Sequence, residues 1–151
     1  MFLCTGNLCR SPIAEGILKK KLAEREIDSI SVSSAGTFAL AGRPVAELAL
    51  KVAAERGVDL SGHRSRHLTT EMLGNADILI GMERDHIIEA NAILKDSTGK
   101  YRLLSDFGPP HVRGEDIEDP YGAPLHYLVS TYEEIEKCVD ALLDDLIETW
   151  G

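Results

Sequence analysis

The sequence predicts an α/β fold: a single domain over residues 1–151, built as an open doubly wound sheet of four parallel strands flanked by helices on both faces. Two observations predict it. Short apolar stretches alternate with helical patterns along the whole chain, and no repeat, linker or low-complexity tract interrupts them. A chain of 151 residues is also long enough for one core, since a domain of this size buries roughly 70% of its unfolded surface.

The individual elements are predicted in chain order. The apolar start of the chain is the end of a buried strand, and Ser11 and Pro12 begin a helix as its N-cap and its first residue. This first helix continues to about Arg25. It is followed by a strand over 30–34 that is broken at 35–37, and by a helix over 44–56 that ends at Gly57. The remaining elements are a strand over 76–82, a helix over 84–94, a strand over 101–104 and a long amphipathic helix from Pro124 onward. Residues 105–123 form a long loop without period, and such a loop in a compact domain usually has a function.

Composition and charge exclude several classes of protein. Counting 16 basic and 25 acidic residues gives a net charge of −9, which argues against nucleic acid as the main ligand. No apolar run approaches the ~20 residues that would span a membrane, and no signal peptide is visible. Three cysteines without a close-spaced Cys/His quartet predict neither a disulfide framework nor a zinc site. We therefore expect a cytoplasmic protein without a metal or other cofactor.

The segment from Cys4 to Ser11 carries the strongest chemical signal. It places a thiol and the guanidinium of Arg10 at the two ends of a short loop between the first strand and the first helix. The backbone N–H groups of such a loop can converge on one anion, phosphate or a similar oxyanion, and Arg10 offers two parallel donors to it. The same donors would stabilise a thiolate, so we expect the pKa of Cys4 to lie below the ~8.5 of a free cysteine. The residues predicted to bind the anion are Thr5, Gly6, Asn7, Leu8, Cys9 and Ser11. The alternative, a buried Cys4 and a surface Arg10, is disfavoured because Gly and Asn bend the chain between them.

Asp119 is the candidate acid for protonating a leaving oxygen. A thiolate that attacks phosphorus needs such an acid. The long loop also carries Asp106, Glu115, Asp116 and Glu118. Asp119 stands out because Pro120 holds it in an extended conformation and Tyr121 could form a wall of the pocket. By itself, the stretch from Asp119 to Gly122 could equally be a simple turn.

The two motifs together resemble the low-molecular-weight protein tyrosine phosphatases of bacterial type. The resemblance rests on Cys4 through Pro12 near the start of the chain and on Asp119-Pro120-Tyr121 near its end. Four further segments are similar to that family in the same order: Ser33–Thr37, Leu60–Arg66, Ala76-Asp77 with Met82, and Leu103–Phe107. The resemblance covers nearly the whole chain.

The resemblance implies a mechanism and a partner. Cys4 would be the nucleophile that forms a phosphocysteine, Arg10 the clamp on the phosphate, and Asp119 the acid for the leaving group and then the base for water. The substrate would be a phosphotyrosine-containing protein, with a bacterial tyrosine kinase as one candidate. No metal would take part.

The resemblance also implies roles for residues around the loop. Asn7 would adopt a strained backbone conformation, held by Ser34 and His63, and Ser11 would hydrogen-bond the Cys4 sulfur. Asparagine tolerates a positive φ better than most residues. Cys4 and Cys9 would form a reversible disulfide that protects against over-oxidation, although Cys9 could instead face the core. Cys138 is expected in the core.

The chain departs from the family pattern at the rim of the expected pocket. Phe38 and Leu40 lie in a stretch where family members commonly carry Trp or Tyr, and Gly122 stands where many carry a second aromatic residue. We still expect Phe38, Leu40 and Tyr121 to contact the substrate.

Three other functions are alternatives, and the last two of them are disfavoured. A protein arginine phosphatase is similar to this family but has threonine where Leu8 stands. A thioredoxin-coupled arsenate reductase needs two further relay cysteines, and none lies between Cys9 and Cys138. A phosphate-sensing module without turnover has no use for the leaving-group acid that Asp119 supplies.

Overall fold

The computed structural model describes residues 1–150 and contains one four-stranded parallel sheet with the strand order β2-β1-β3-β4. The strands are β1 (Phe2–Cys4), β2 (Ser34–Gly36), β3 (Leu79–Gly81) and β4 (Tyr101–Leu103). The helices are α1 (Arg10–Glu24), α2 (Glu47–Glu55), α3 (Thr70–Asn75), α4 (Arg84–Ile93) and α5 (Leu125–Trp150), and a 3₁₀ helix (Leu104–Phe107) follows β4. The predicted fold class is confirmed.

Helices cover both faces of the sheet because neighbouring residues of a strand point to opposite sides. Phe2 and Ile80 lie in the larger core, together with apolar residues of α1, α2 and α5. Leu3 and Leu79 lie in the smaller core with residues of α3 and α4. In residues 1–150, no helix is both long enough and apolar enough to cross a membrane.

The carboxyl ends of the strands meet at one edge of the sheet. Cys4 is the last residue of β1 and pairs with Gly36 at the end of β2. A Cβ atom on Gly36 would lie 2.5 Å from the carbonyl oxygen of Thr5. Glycine at this position therefore lets the chain that follows Cys4 cross over the end of β2.

The second strand lies later in the chain than predicted. The sequence predicts a strand over 30–34 and a break at 35–37, whereas β2 spans Ser34–Gly36. That prediction followed a local alternation of apolar and polar residues. The position of β2 in the chain is determined instead by its hydrogen-bonded pairing with β1, which aligns Phe2 with Ser34.

The predicted start of the first helix is also wrong. Ser11 is predicted as the N-cap and Pro12 as the first residue, but α1 begins at Arg10 with Cys9 in the cap position. Among residues 1–150, no side chain caps this helix. The helix starts directly after the loop of residues 5–9 that follows β1. The Ser11 hydroxyl does not cap it, because this hydroxyl contacts the side chains of Cys4 and Asn7.

The remaining elements agree with the sequence except at their ends. The predicted ranges 44–56, 76–82, 84–94 and 101–104 contain α2, β3, α4 and β4, each of them shorter than predicted. Gly57 follows α2 with a φ of 76°, as expected for a residue that ends a helix. The sequence analysis did not predict α3 or the 3₁₀ helix.

The long loop is attached to the fold rather than free. Its first residues form the 3₁₀ helix. Further along, Ile117 is 1% exposed, and its backbone N–H donates to the carbonyl of Met82 over 2.9 Å. This attachment holds Asp119 close to the carboxyl end of β3.

Candidate active site

The loop between β1 and α1 turns its carbonyl groups outward. The carbonyls of Cys4 and Thr5 accept hydrogen bonds from the backbone N–H groups of Thr37 and Phe38, over 3.0 and 2.9 Å. The Leu8 carbonyl accepts from the N–H of Ala46 over 3.0 Å. In a trans peptide the N–H of the next residue points opposite to the carbonyl. The N–H groups that follow these three carbonyls therefore face the inside of the loop.

The inward N–H groups are suited to bind an anion. Within residues 1–150, none of the five backbone N–H groups from Thr5 to Cys9 donates a hydrogen bond. The uncapped N-terminus of α1 follows immediately, and its dipole also favours negative charge. Backbone donors of this kind need an acceptor, and a tetrahedral oxyanion can accept several of them at once.

Cys4 lies at the base of this loop, next to Ser11. The Cys4 Sγ atom is 2.9 Å from the Ser11 Oγ atom. The Asn7 side-chain amide donates to the same Ser11 oxygen over 2.8 Å. The Ser11 hydroxyl therefore keeps its own proton for the sulfur, and such a donor stabilises negative charge on sulfur.

The two terminal nitrogens of the Arg10 guanidinium have different surroundings. Its side chain is 1% exposed, and its Nη1 atom donates to the carbonyl of Ile117 over 2.7 Å. The same atom lies 3.3 Å from a carboxylate oxygen of Glu83. Within residues 1–150, the buried Nη2 atom makes no hydrogen bond, and the Asp119 carboxylate lies 3.8 Å from it. The guanidinium is thus held in place with donors left for a ligand.

Asp119 stands at the mouth of the site. One carboxylate oxygen accepts the backbone N–H of Tyr121 over 3.0 Å, and the other faces Arg10. Half of the Asp119 side chain is exposed. The turn thus fixes the carboxyl group where both a substrate and water can reach it.

The whole chain matches one known protein family. The model of the family described as low molecular weight phosphotyrosine protein phosphatase matches residues 1–149. The chain belongs to this family. It is a cysteine-based protein phosphatase.

Named relatives of the phosphatase match it over nearly their whole length. It is 40% identical over 137 residues to low molecular weight protein-tyrosine-phosphatase Etp of Escherichia coli (strain K12), covering 91% of this chain and 86% of that protein. It is 33% identical over 148 residues to the protein-arginine-phosphatase of Bacillus subtilis (strain 168), covering 97% and 95%. The crystal structure of a low molecular weight protein tyrosine phosphatase from T. tengcongensis superposes with a TM-score of 0.88 at 36% identity, covering 96% of this chain and 97% of that one.

Asn7 organises the centre of the loop of the phosphatase. It is fully buried and has a φ of 55°. Its side-chain amide donates to Ser34 Oγ over 2.9 Å, and its side-chain oxygen accepts the backbone N–H of Arg66 over 2.9 Å. His63 Nε2 lies 3.1 Å from the Asn7 carbonyl and acts as the donor, because a carbonyl can only accept. Burial lowers the pKa of His63. The sequence analysis named Ser34 and His63 here but missed Arg66.

Two glycine substitutions at positions of positive φ should differ in their effect on stability. Asn7 and the exposed Glu26 are the non-glycine residues with positive φ within residues 1–150. Glu26→Gly should raise the free energy of unfolding, or leave it unchanged within about 0.5 kcal/mol, because glycine adopts this φ without strain. Asn7→Gly should lower it by about 2–4 kcal/mol because three side-chain hydrogen bonds are lost, two of them buried. Urea unfolding of both variants tests this, and equal changes would contradict the supporting role of the Asn7 side chain.

The predicted substrate-contacting side chains outside the loop are exposed. Phe38 is 73%, Leu40 62% and Tyr121 64% exposed. The segment with Phe38 and Leu40 is tied to the loop through Thr37 and Phe38. Leu8 is partly buried and packs against the larger core. Apolar surface therefore flanks the mouth on the side of Phe38 and on the side of Tyr121.

Cys9 and Cys138 are buried thiols. Burial, helped by the negative charges of Asp119 and Cys4, raises the pKa of Cys9 to about 12. Burial also raises the pKa of Cys138 to about 11, and this residue lies in the larger core as expected. Cys4, Cys9 and Cys138 are all free thiols. A disulfide between Cys4 and Cys9 stays a prediction.

Two residues of the site, Glu83 and His86, were not predicted from the sequence. Glu83 pairs with Arg10, and His86 Nε2 lies 2.9 Å from Thr5 Oγ1. Burial raises the pKa of Glu83, and the neighbouring Arg10 opposes this shift. Their position just after β3, at the edge where ligands of such sheets bind, is the signal that could have identified them. Within residues 1–150, no group of three His, Cys, Asp or Glu side chains is arranged to hold a metal ion.

The low pKa of His86 should make the stability of the phosphatase fall in acid. Burial and the charge of Arg10 lower this pKa to about 4, while Asp116 and Asp119 act in the opposite direction. Between pH 6.5 and 4 the unfolded chain takes up a proton that the folded chain does not, so stability falls as the pH falls. From pH 7 to 5 the free energy of unfolding should drop by about 1–2 kcal/mol more in wild type than in His86→Asn.

Urea unfolding at both pH values measures this difference. A His126→Asn variant, which removes an exposed histidine of α5, is the matched control and should show the wild-type dependence. Equal pH dependence of wild type and His86→Asn would contradict the prediction.

Proposed function

We propose that this phosphatase hydrolyses phosphotyrosine on proteins in two steps. In the first, the Cys4 sulfur attacks phosphorus, an S–P bond forms and the P–O bond to tyrosine breaks, while Asp119 gives a proton to the leaving oxygen. In the second, water attacks the phosphocysteine, Asp119 takes a proton from that water, and the S–P bond breaks. Inorganic phosphate then leaves, and both Cys4 and Asp119 return to their starting states.

One observation supports the proposal: within residues 1–150, donors without a hydrogen-bond partner lie in the loop that follows Cys4, and this loop leads directly to the fixed Arg10. The inward N–H groups of Thr5, Gly6 and Cys9 and, within residues 1–150, the free Nη2 of Arg10 match the charge that develops on the phosphoryl oxygens during the transfer. Ser11 supports the sulfur. The same loop would bind both the substrate and the transition state.

We further propose that the exposed apolar side chains at the mouth contact the ring of phosphotyrosine. Phe38 and Leu40 would line one side, and Tyr121 the other. A tyrosine oxygen leaves more readily than a serine oxygen because its pKa is lower, so the protein should act on a phosphotyrosine peptide about 100-fold faster than on a phosphoserine peptide. Rates measured on matched peptides test this, and equal rates would contradict the assignment. Stable binding without release of phosphate would instead indicate a phosphate-sensing module.

Hydrolysis of phosphoarginine is the second candidate function. The similarity to the protein-arginine-phosphatase of Bacillus subtilis, which extends over 97% of this chain, favours it, as do Gly122 and the absence of Trp near Phe38. Against it stands Leu8, because an apolar, partly buried side chain in the loop suits an aromatic ring better than a polar guanidinium.

A substitution in the loop separates the two candidates. The ratio of kcat/KM on phosphotyrosine to that on phosphoarginine peptides should exceed 1 in wild type and fall in Leu8→Thr. Ile93→Thr also replaces an exposed aliphatic side chain by threonine, at the last residue of α4 and outside the proposed site, and serves as the control. Preference of the wild-type protein for phosphoarginine would establish the second candidate.

The partner and the location are also proposals. The partner would be a phosphotyrosine-containing protein, with a bacterial tyrosine kinase as the candidate that the family resemblance suggests. The surplus of acidic residues supports a protein rather than a nucleic acid as substrate, and the odd number of free cysteines supports a reducing cytoplasm.

A further inference from the structure

His86 is a buried ionisable residue that the proposed chemical steps do not use. It lies in the first turn of α4 and is 1% exposed. Both ring nitrogens have a hydrogen-bond partner. The partner of Nδ1 is at the start of α4, and the partner of Nε2 is in the loop from Thr5 to Cys9, the catalytic loop. A buried histidine with two defined partners has a defined protonation state.

The hydrogen bonds of His86 fix where its proton lies. The backbone N–H of Glu83 donates to His86 Nδ1 over 3.0 Å, so Nδ1 is an acceptor. A neutral ring then carries its proton on Nε2, which lies 2.9 Å from Thr5 Oγ1. The Glu83 carboxylate is farther from Nε2, at 3.5 Å. His86 therefore donates to the Thr5 hydroxyl.

The charges around His86 keep this arrangement constant near neutral pH. Its pKa of about 4 reflects burial first and then the positive charge of Arg10, against the opposing charges of Asp116 and Asp119. Glu83 is the other charged group that faces the ring. Protonation of Nδ1 would also break the hydrogen bond from the Glu83 N–H, because two N–H donors would then face each other. The ring therefore stays neutral near pH 7 and keeps donating to Thr5.

We propose that His86 is a positioning residue of the catalytic loop, acting through Thr5, and this inference rests on the proposed function. Thr5 follows the nucleophile and is held at two points. Its hydroxyl is bound by His86, and its carbonyl by the N–H of Phe38. Together these bonds orient the peptide group between Thr5 and Gly6, and with it an inward N–H of the loop.

Two variants of His86 separate its two hydrogen bonds. In His86→Asn the side-chain amide can still accept from the Glu83 N–H, but it is too short to reach Thr5. In His86→Gln the longer amide can reach Thr5 and loses the bond to Glu83. Thr5→Val removes the acceptor from the other side with little change in volume. The assays are turnover of p-nitrophenyl phosphate, the inhibition constant of inorganic phosphate, and the midpoint of thermal unfolding.

We expect the His86 and Thr5 substitutions to change the same two quantities, kcat and the inhibition constant of phosphate, and to do so non-additively. His86→Asn should lower kcat and weaken phosphate inhibition by about fivefold each, as for one lost hydrogen bond. His86→Gln should restore most of this loss. In the Thr5→Val background His86→Asn should have no further effect on either quantity. Thr5→Val alone should show the same fivefold change.

Several results would overturn the inference. One is a lower unfolding midpoint with unchanged kcat and phosphate inhibition, which would mean a purely structural role. Another is an equal effect of His86→Asn with and without Thr5→Val. Should the His86 variants fail to fold, unchanged constants in Thr5→Val would also overturn it. A wild-type protein without turnover would refute the proposed function instead, while phosphate binding would still report on the His86 bond.

Discussion

A Cys4→Ser variant should lose at least about 10⁴-fold of the wild-type kcat on p-nitrophenyl phosphate, because a serine hydroxyl is a far weaker nucleophile than a cysteine sulfur. Its fold should be intact, since the two side chains are nearly isosteric. The Ser11 hydroxyl, 2.9 Å from the sulfur in wild type, can hydrogen-bond the introduced oxygen. The variant should therefore still bind inorganic phosphate through the loop. Steady-state turnover and calorimetric phosphate binding measure the two properties separately.

Cys138→Ser is the matched control for this result. Cys138 is a fully buried thiol on α5, away from the loop. Its replacement should lower the free energy of unfolding by about 1–3 kcal/mol because a hydroxyl enters an apolar core, and kcat should stay within about twofold of wild type. Substantial turnover in Cys4→Ser, or a comparable loss in Cys138→Ser, would refute Cys4 as the nucleophile.

An Asp119→Ala variant should lose activity in proportion to the basicity of the leaving group. On phenyl phosphate the rate should fall by about 10²–10³-fold, as expected for the loss of a general acid. On p-nitrophenyl phosphate the loss should be smaller, because that leaving group departs without much help from a proton. Rates over a series of substituted phenyl phosphates, plotted against leaving-group pKa, should give a steeper slope for the variant than for wild type.

Glu118→Ala is the control for Asp119. Glu118 is the neighbouring carboxylate, and it accepts a hydrogen bond from the Tyr127 hydroxyl over 3.0 Å instead of facing Arg10. The Glu118→Ala variant should show the wild-type slope in the plot of rate against leaving-group pKa. Equal slowing of every leaving group in Asp119→Ala would argue that Asp119 orients Arg10 rather than protonating the substrate.

The strands and the main helices could be predicted because their signals are local. An apolar run marks β3, and the spacing of apolar residues marks α5. The position of β2 could not be predicted this way. Residues 30–34 alternate as well as a true strand does, and only the pairing with β1 shows that the strand begins at Ser34.

The site could be predicted where its residues are close in sequence. Cys4, Arg10 and Ser11 lie within one segment of eight residues, so their spacing already indicated an anion site. The outward hydrogen bonds of the carbonyls come from Thr37, Phe38 and Ala46, and no local pattern shows such long-range donors. His86 was missed for the same reason, because 81 positions separate it from Thr5.

The outward hydrogen bonds of the loop have a consequence for regulation by metabolites. Since the carbonyls are anchored to the surrounding fold, the loop is preorganised and loses little conformational entropy when an anion binds. We expect such a loop to bind free inorganic phosphate as well as the phosphate group of a substrate. Inorganic phosphate, the product of the proposed reaction, should then compete with substrate, and the activity should fall as its concentration rises.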